Sequence, residues 1–150
     1  MSHTYSNLLS HVIFSTKDRQ PLIDFDLKPR LLGYMNGIVN ESGGKVLALN
    51  AMPDHLHMLW ELKPTSSLSD AMRVLKTNSS RWVREAHATR KHFAWQTGYA
   101  AFSVSRSNVS VVANYIEAQE QHHRKRTFHE EFVELLVKHD IAYDPKSVFG

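Results

Sequence analysis

His55-Leu56-His57 lies inside the run Met52-Pro53-Asp54-His55-Leu56-His57-Met58-Leu59-Trp60. Side chains two apart in an extended strand share a face. Both imidazoles therefore point to one side, and Leu56, Met58 and Trp60 cover the other. Two imidazoles aimed at one point can hold a cation, since imidazole is the commonest metal-donating side chain. A second chemically capable pair, Tyr115 and Gln119, is four residues apart and shares a face if the segment is helical. Their stripe is turned by roughly 100° from that of Val109, Val112 and Ile116, so they do not simply extend a core. His123 is four residues past Gln119 and could reach the same point. Its neighbours Arg124-Lys125-Arg126 instead read as a solvated basic helix end, and we place it outside the candidate ligand set.

The elements that must position these residues follow from periodicity. Asn7 to Ser15 is an apolar, partly β-branched run closed by the charged turn Lys17-Asp18-Arg19-Gln20-Pro21, which predicts a buried first strand. Leu27, Leu31, Tyr34, Met35, Ile38 and Val39 recur at three-four spacing and Gly43-Gly44 supplies a stop, predicting an amphipathic helix from about Asp24 to Glu41. Two strands follow, Val46 to Met52 and His55 to Leu62, joined at the turn-forming Pro53-Asp54. Ser67 or Ser69 opens a helix with Leu68, Met72, Leu75 and Trp82 inward and a basic outer side. Tyr99 to Ser105 reads as a fourth strand. Ser107 or Asn108 opens the helix that carries Tyr115 and Gln119, and a last helix runs from about Thr127 to His139, with Phe128, Phe132, Leu135 and Leu136 on one side.

The order strand, helix, strand, strand, helix, strand is the split βαβ pattern. The expected fold class is α+β: a ferredoxin-like antiparallel sheet with helices on one face, plus a C-terminal tyrosine-bearing helix. The other sheet face or its edge is left for a site or a second subunit. A chain of 150 residues is most simply a single domain, 1–150, large enough to bury a core unaided. With no cysteine, disulfides and thiolate metal sites are excluded, and a reducing cytoplasmic setting is compatible. No apolar run approaches the ~20 residues that span a bilayer, and the N-terminus does not resemble a signal peptide. A net charge of +3 with pI near 9.2 permits a polyanionic partner without demanding one.

The chain resembles the IS200/IS605-type transposases, single-tyrosine enzymes of the HUH endonuclease class that include the REP-associated tyrosine transposases. The resemblance rests on His55-Leu56-His57, on Tyr115-Ile116-Glu117-Ala118-Gln119 as a Tyr-three-residues-Gln signature, on Trp95 to Ser105, and on the opening Val12-Ile13-Phe14-Ser15-Thr16-Lys17. These stand in family order from about residue 5 to 127. The resemblance implies metal ligation by His55, His57 and Gln119, with Mg²⁺ or Mn²⁺ as the divalent cofactor, although the donors alone would equally take zinc. It implies Tyr115 as nucleophile, a 5′-phosphotyrosine intermediate, single-stranded DNA with hairpin ends as partner, and a homodimer. Lys76 and Arg106 are the preferred phosphate contacts among the basic residues.

Two other functions compete. A ferredoxin-like module that binds hairpin DNA without cutting it would share the fold, although the first and fourth strands lack the aromatic pattern of RNA-recognition domains. A histidine-triad nucleotide hydrolase would need a third alternating histidine, and position 59 is Leu.

Overall fold

A computed structural model describes residues 3–149. The chain runs β1 (Leu9–Ser15), α1 (Leu27–Glu41), β2 (Lys45–Met52), β3 (His55–Glu61), α2 (Leu68–Ala86), β4 (Ala100–Ser103), α3 (Val109–Glu117), α4 (Gln119–His122) and α5 (Phe128–Lys138). The sheet is antiparallel with strand order β2-β3-β1-β4. The split βαβ order therefore puts β1 and β3, the two strands richest in buried residues, side by side in the centre.

Alternation sorts the strand side chains. Val12 and Phe14 of β1 and Leu56, Met58 and Trp60 of β3 pack on one face against Leu27, Leu31, Met35 and Val39 of α1 and Met72, Leu75 and Val83 of α2. α1 stops where Gly43 takes a left-handed φ of 85°, a conformation that costs glycine nothing. Ser67 is the residue that caps α2, its side chain accepting from the Asp70 amide.

The opposite face carries the other alternating set. Ile13, Ala100 and Phe102 pack against Phe128, Phe132 and Leu136 of α5, and Ala48 and Leu59 pack against Ile116 of α3. This face is not left open, as the sequence pattern alone allows; the C-terminal helices cover it. The polar residues of the same face, His11, His55 and His57, are buried beneath them.

The single tyrosine helix expected after Ser107 is two helices. Ala118 leaves helical geometry (φ −93°, ψ 20°), and the Gln119 side-chain amide donates to the Tyr115 carbonyl at 3.3 Å. β4 is shorter than the expected Tyr99 to Ser105, spanning only Ala100–Ser103. Among the described residues no helix is long and apolar enough to cross a membrane.

Candidate metal and tyrosine site

The β2–β3 hairpin turns at Pro53 and Asp54, with Met52 paired to His55. That tight turn puts the first imidazole beside the carboxylate that precedes it: His55 Nδ1 lies 2.7 Å from Asp54 Oδ1. A carboxylate only accepts, so Nδ1 carries the proton. Burial pushes the Asp54 carboxyl up, but the hydrogen bond and charge of His55, with Arg19 nearby, hold it below its usual range. The face of His55 is fixed by the Phe128 ring, stacked at 3.8 Å and 5°. His55 is 1% exposed, and its Nε2 has no hydrogen-bond partner.

His57 faces Ile13 across the β1–β3 ladder. The diagonal neighbour His11 therefore comes within reach, and its Nε2 lies 2.9 Å from His57 Nδ1. The other nitrogen of His57, Nε2, is 3.0 Å from Glu131 Oε1. Burial, the largest cause for each, holds His57 down to about 4 and His11 to about 3. Both rings are thus neutral at physiological pH, with one N–H each. Exchanging tautomers within this pair moves the His57 proton from Nε2 to Nδ1, freeing the Nε2 lone pair to bind a cation without changing the net charge.

Glu131 is the centre of the cluster. It is fully buried, and its Oε1 is 3.0 Å from His57 Nε2, 3.2 Å from His123 Nε2 and 3.7 Å from His55 Nε2. Its Oε2 accepts the Tyr115 hydroxyl hydrogen. Burial pushes the Glu131 carboxyl up, but hydrogen bonds from His123, His57 and Tyr115 outweigh that and keep it ionised. Burial and the neighbouring carboxylate raise the Tyr115 hydroxyl well above its ordinary range, so it is protonated at rest. Arg126 Nη2 approaches the Tyr115 oxygen at 3.3 Å from the other side.

Four of these residues, His55, His57, His123 and Glu131, bring donor atoms within 4.8 Å of one another. The set suits a divalent cation on two counts. Three nitrogens and a carboxylate oxygen are the mixed donors that divalent transition ions accept. The unpartnered Nε2 of His55 is a buried acceptor whose vacancy costs roughly 1–3 kcal/mol unless something fills it.

Of the residues expected from sequence, His55, His57 and Tyr115 come together. Gln119 is fully buried at the edge, its Oε1 2.9 Å from His123 Nε2. His123, placed outside the ligand set on the basic character of its neighbours, points inward instead. The turn after α4 rotates it away from Arg124-Lys125-Arg126, leaving it 11% exposed. His11 and Glu131 were missed. The signals were present: a histidine inside an apolar strand, and a glutamate within the stripe of Phe128, Phe132 and Leu136.

Lys76 and Arg106 lie away from this cluster. Lys76 Nζ donates to the carbonyls of Gln96, Thr97 and Gly98 at 2.6, 3.1 and 2.8 Å, and burial pushes it down to about 8. Its donors are committed to the segment leading into β4. Arg106 is on the surface, paired with Glu61 at 3.1 Å.

The antiparallel sheet thus sets the His-X-His strand beneath a tyrosine-bearing helix, with the rings of His57 and Tyr115 5.9 Å apart. The family model for transposase IS200 like matches residues 4–119. The chain belongs to the IS200-like transposase family. It is 26% identical over 114 residues to the ISDra2 transposase TnpA of Deinococcus radiodurans, covering 73% of this chain and 81% of that one. It is also 26% identical over 124 residues to the transposase for insertion sequence element IS200 of Salmonella typhimurium, covering 79% and 81%. Among solved structures, a candidate transposase from Deinococcus radiodurans R1 superposes with TM-score 0.64 at 25% identity, over 79% of this chain and 95% of that one. A REP-associated tyrosine transposase bound to a REP hairpin superposes with TM-score 0.61 at 16% identity, over 96% and 91%, a likeness of fold.

Proposed function

We propose that the chain is a metal-dependent single-stranded DNA transposase that cleaves and rejoins DNA at element ends through a 5′-phosphotyrosine on Tyr115. The observation that carries this reading is the span of one carboxylate: Glu131 accepts from His57 on one oxygen and from Tyr115 on the other. A cation at the histidines and a nucleophile at Tyr115 would therefore flank the same phosphodiester. Family membership and the hairpin held by the structural relative support hairpin DNA as the substrate.

His55, His57 and Gln119 are the proposed ligands, with Asp54 and His11 orienting the two histidines and His123, its Nε2 2.9 Å from Gln119 Oε1, adjoining them as a further nitrogen of the cluster. A divalent ion bound there would polarise the scissile phosphate and ease departure of the 3′ oxygen. The histidine-rich donor set favours Mn²⁺ over Mg²⁺, which takes oxygen ligands. Tyr115 passes its proton along its hydrogen bond to Glu131 Oε2 and its oxygen attacks phosphorus in line; the bond from phosphorus to the 3′ oxygen breaks, and that oxygen takes up the proton. One fragment is left on Tyr115 by its 5′ phosphate and the other with a free 3′-hydroxyl. The bond energy is conserved, and a different 3′-hydroxyl can reverse the step.

Arg106 is proposed as a phosphate contact at the surface. Lys76 is proposed to act on DNA only indirectly, by holding residues 96–98. Residues 1–150 act as one domain, in the cytoplasm, and two copies forming a homodimer would each carry a complete site, because Tyr115 meets His57 within one chain.

The test uses 5′- and 3′-labelled single-stranded hairpins from the genomic flanks, incubated with the protein and Mn²⁺. A denaturation-resistant protein–DNA band that disappears in Tyr115→Phe is expected. Hairpin binding without such a band, from folded protein, would replace this reading with the binding-only module.

A further inference from the structure

We propose that Glu131 of α5 is itself a donor to the cation, so that the metal centre is completed by a helix outside the segment that family membership defines. This rests on the cation reading above. The family model ends at residue 119, and Glu131 is contributed by a separate element beyond it.

Burying an ionised carboxylate costs several kcal/mol unless a partner offsets it. Glu131 is 0% exposed, among Phe128, Phe132 and Leu136 on its own helix. The basic side chains within 4.0 Å of it are His55, His57 and His123, and among the described residues no Lys or Arg joins them. Arg126 reaches the Tyr115 oxygen instead and pairs with Glu134. Among the described residues the carboxylate thus has no permanent cationic partner, and it faces the unpartnered Nε2 of His55. A buried anion lacking a cation and a buried imidazole lacking a partner, 3.7 Å apart, are two independent deficits that one divalent ion satisfies.

α5 is built to hold Glu131 there. Thr127 caps it with a reciprocal capping box to Glu130. Phe128, Phe132 and Leu136 anchor it on the sheet. With Oε1 given to the ion, Oε2 still accepts from Tyr115, so metal and nucleophile share one carboxylate.

The experiment measures Mn²⁺ binding to the full chain without DNA. Protein made by cell-free synthesis with [13Cδ]glutamate, glutamine unlabelled, is loaded with Mn²⁺ and examined by electron–nuclear double resonance. Calorimetry compares wild type with Glu131→Gln, which keeps the side-chain shape and removes the charge. We expect both ¹⁴N couplings from histidine and a ¹³C coupling from a directly bound carboxylate, with at least tenfold weaker Mn²⁺ binding in Glu131→Gln. ¹⁴N couplings without the ¹³C coupling would overturn the assignment of Glu131 while leaving the histidine site intact. Absence of bound Mn²⁺, or of ¹⁴N couplings, would overturn the cation reading and this one with it. The resonance measurement is made on wild type, so it decides the question even if the variant fails to fold.

Discussion

Asp54→Asn is the substitution that separates an oriented metal ligand from an ordinary buried histidine. Asp54 Oδ1 accepts from His55 Nδ1 at 2.7 Å, and this contact turns the unpartnered Nε2 toward Glu131. Asparagine keeps the size and leaves one oxygen able to accept, but the bond is no longer charge-assisted. Such bonds contribute roughly 1.5–3 kcal/mol against 0.5–1.5 for neutral ones, so the orientation of His55 loses on the order of 1 kcal/mol. The amide can also flip and present its NH₂ to Nδ1, which would favour the wrong tautomer, with the proton on Nε2. Together these effects predict a 10-fold or greater loss of Mn²⁺ affinity, in the range found when carboxylates supporting metal-bound histidines are changed. Titration calorimetry at neutral pH measures it, and thermal melting in chelator checks that the metal-free fold is retained. Mn²⁺ affinity within twofold of wild type, in a folded variant, would refute the argument that Asp54 sets His55 for a cation.

Lys76→Met is expected to destabilise the fold by about 2 kcal/mol, because three carbonyls lose a charged donor, with the salt dependence of hairpin binding unchanged; Arg106→Ala should leave urea stability within about 0.5 kcal/mol and lower the salt slope by about 1. An altered slope in Lys76→Met, with its stability intact, would restore that lysine as a phosphate contact. Mixing His55→Ala with Tyr115→Phe should give no more cleavage than the separate variants, since the tyrosine and histidines of one chain already meet; recovery would show that α3 exchanges between subunits. In chelator, stability should fall as pH is lowered from about 6.5 to about 4. His57 binds its proton at about 4 when folded and near 6.5 when unfolded, so across that window the unfolded state holds more protons and stability rises with pH. The loss is on the order of 3 kcal/mol for His57 alone, reinforced by His11, and a flat urea midpoint over the window would contradict it.

The fold was legible because its signals are local. The period of two in β1 and β3, the three-four spacing of α1 and α2, and the turn at Pro53-Asp54 each specify an element without reference to another. His55 and His57 were legible for the same reason, since one strand places both. His11, His123 and Glu131 are different: each joins the cluster through packing between elements distant in sequence, 46 residues from His11 to His57 and 74 from His57 to Glu131. No spacing rule reaches His11 or Glu131 across such gaps, whereas His123 stands at helical spacing from Gln119. His123 reads as solvated in sequence because its charged neighbours describe the backbone it sits on and not the direction of its ring, which the turn after α4 sets, leaving it 11% exposed. Lys76 reads as a surface charge in sequence because nothing local reveals the three carbonyls of residues 96–98 waiting at its tip.

The proposed function requires that Tyr115 become covalently joined to DNA beside a histidine-held cation. The most direct measurement is proteolysis of the protein–DNA adduct formed with Mn²⁺, followed by mass spectrometry of the nucleotide-bearing peptide. A nucleotide linked by its 5′ phosphate to Tyr115 is expected, and no adduct when His57 is replaced by alanine. A phosphate on another residue, or cleaved DNA with a free 5′ phosphate and no adduct, would contradict it.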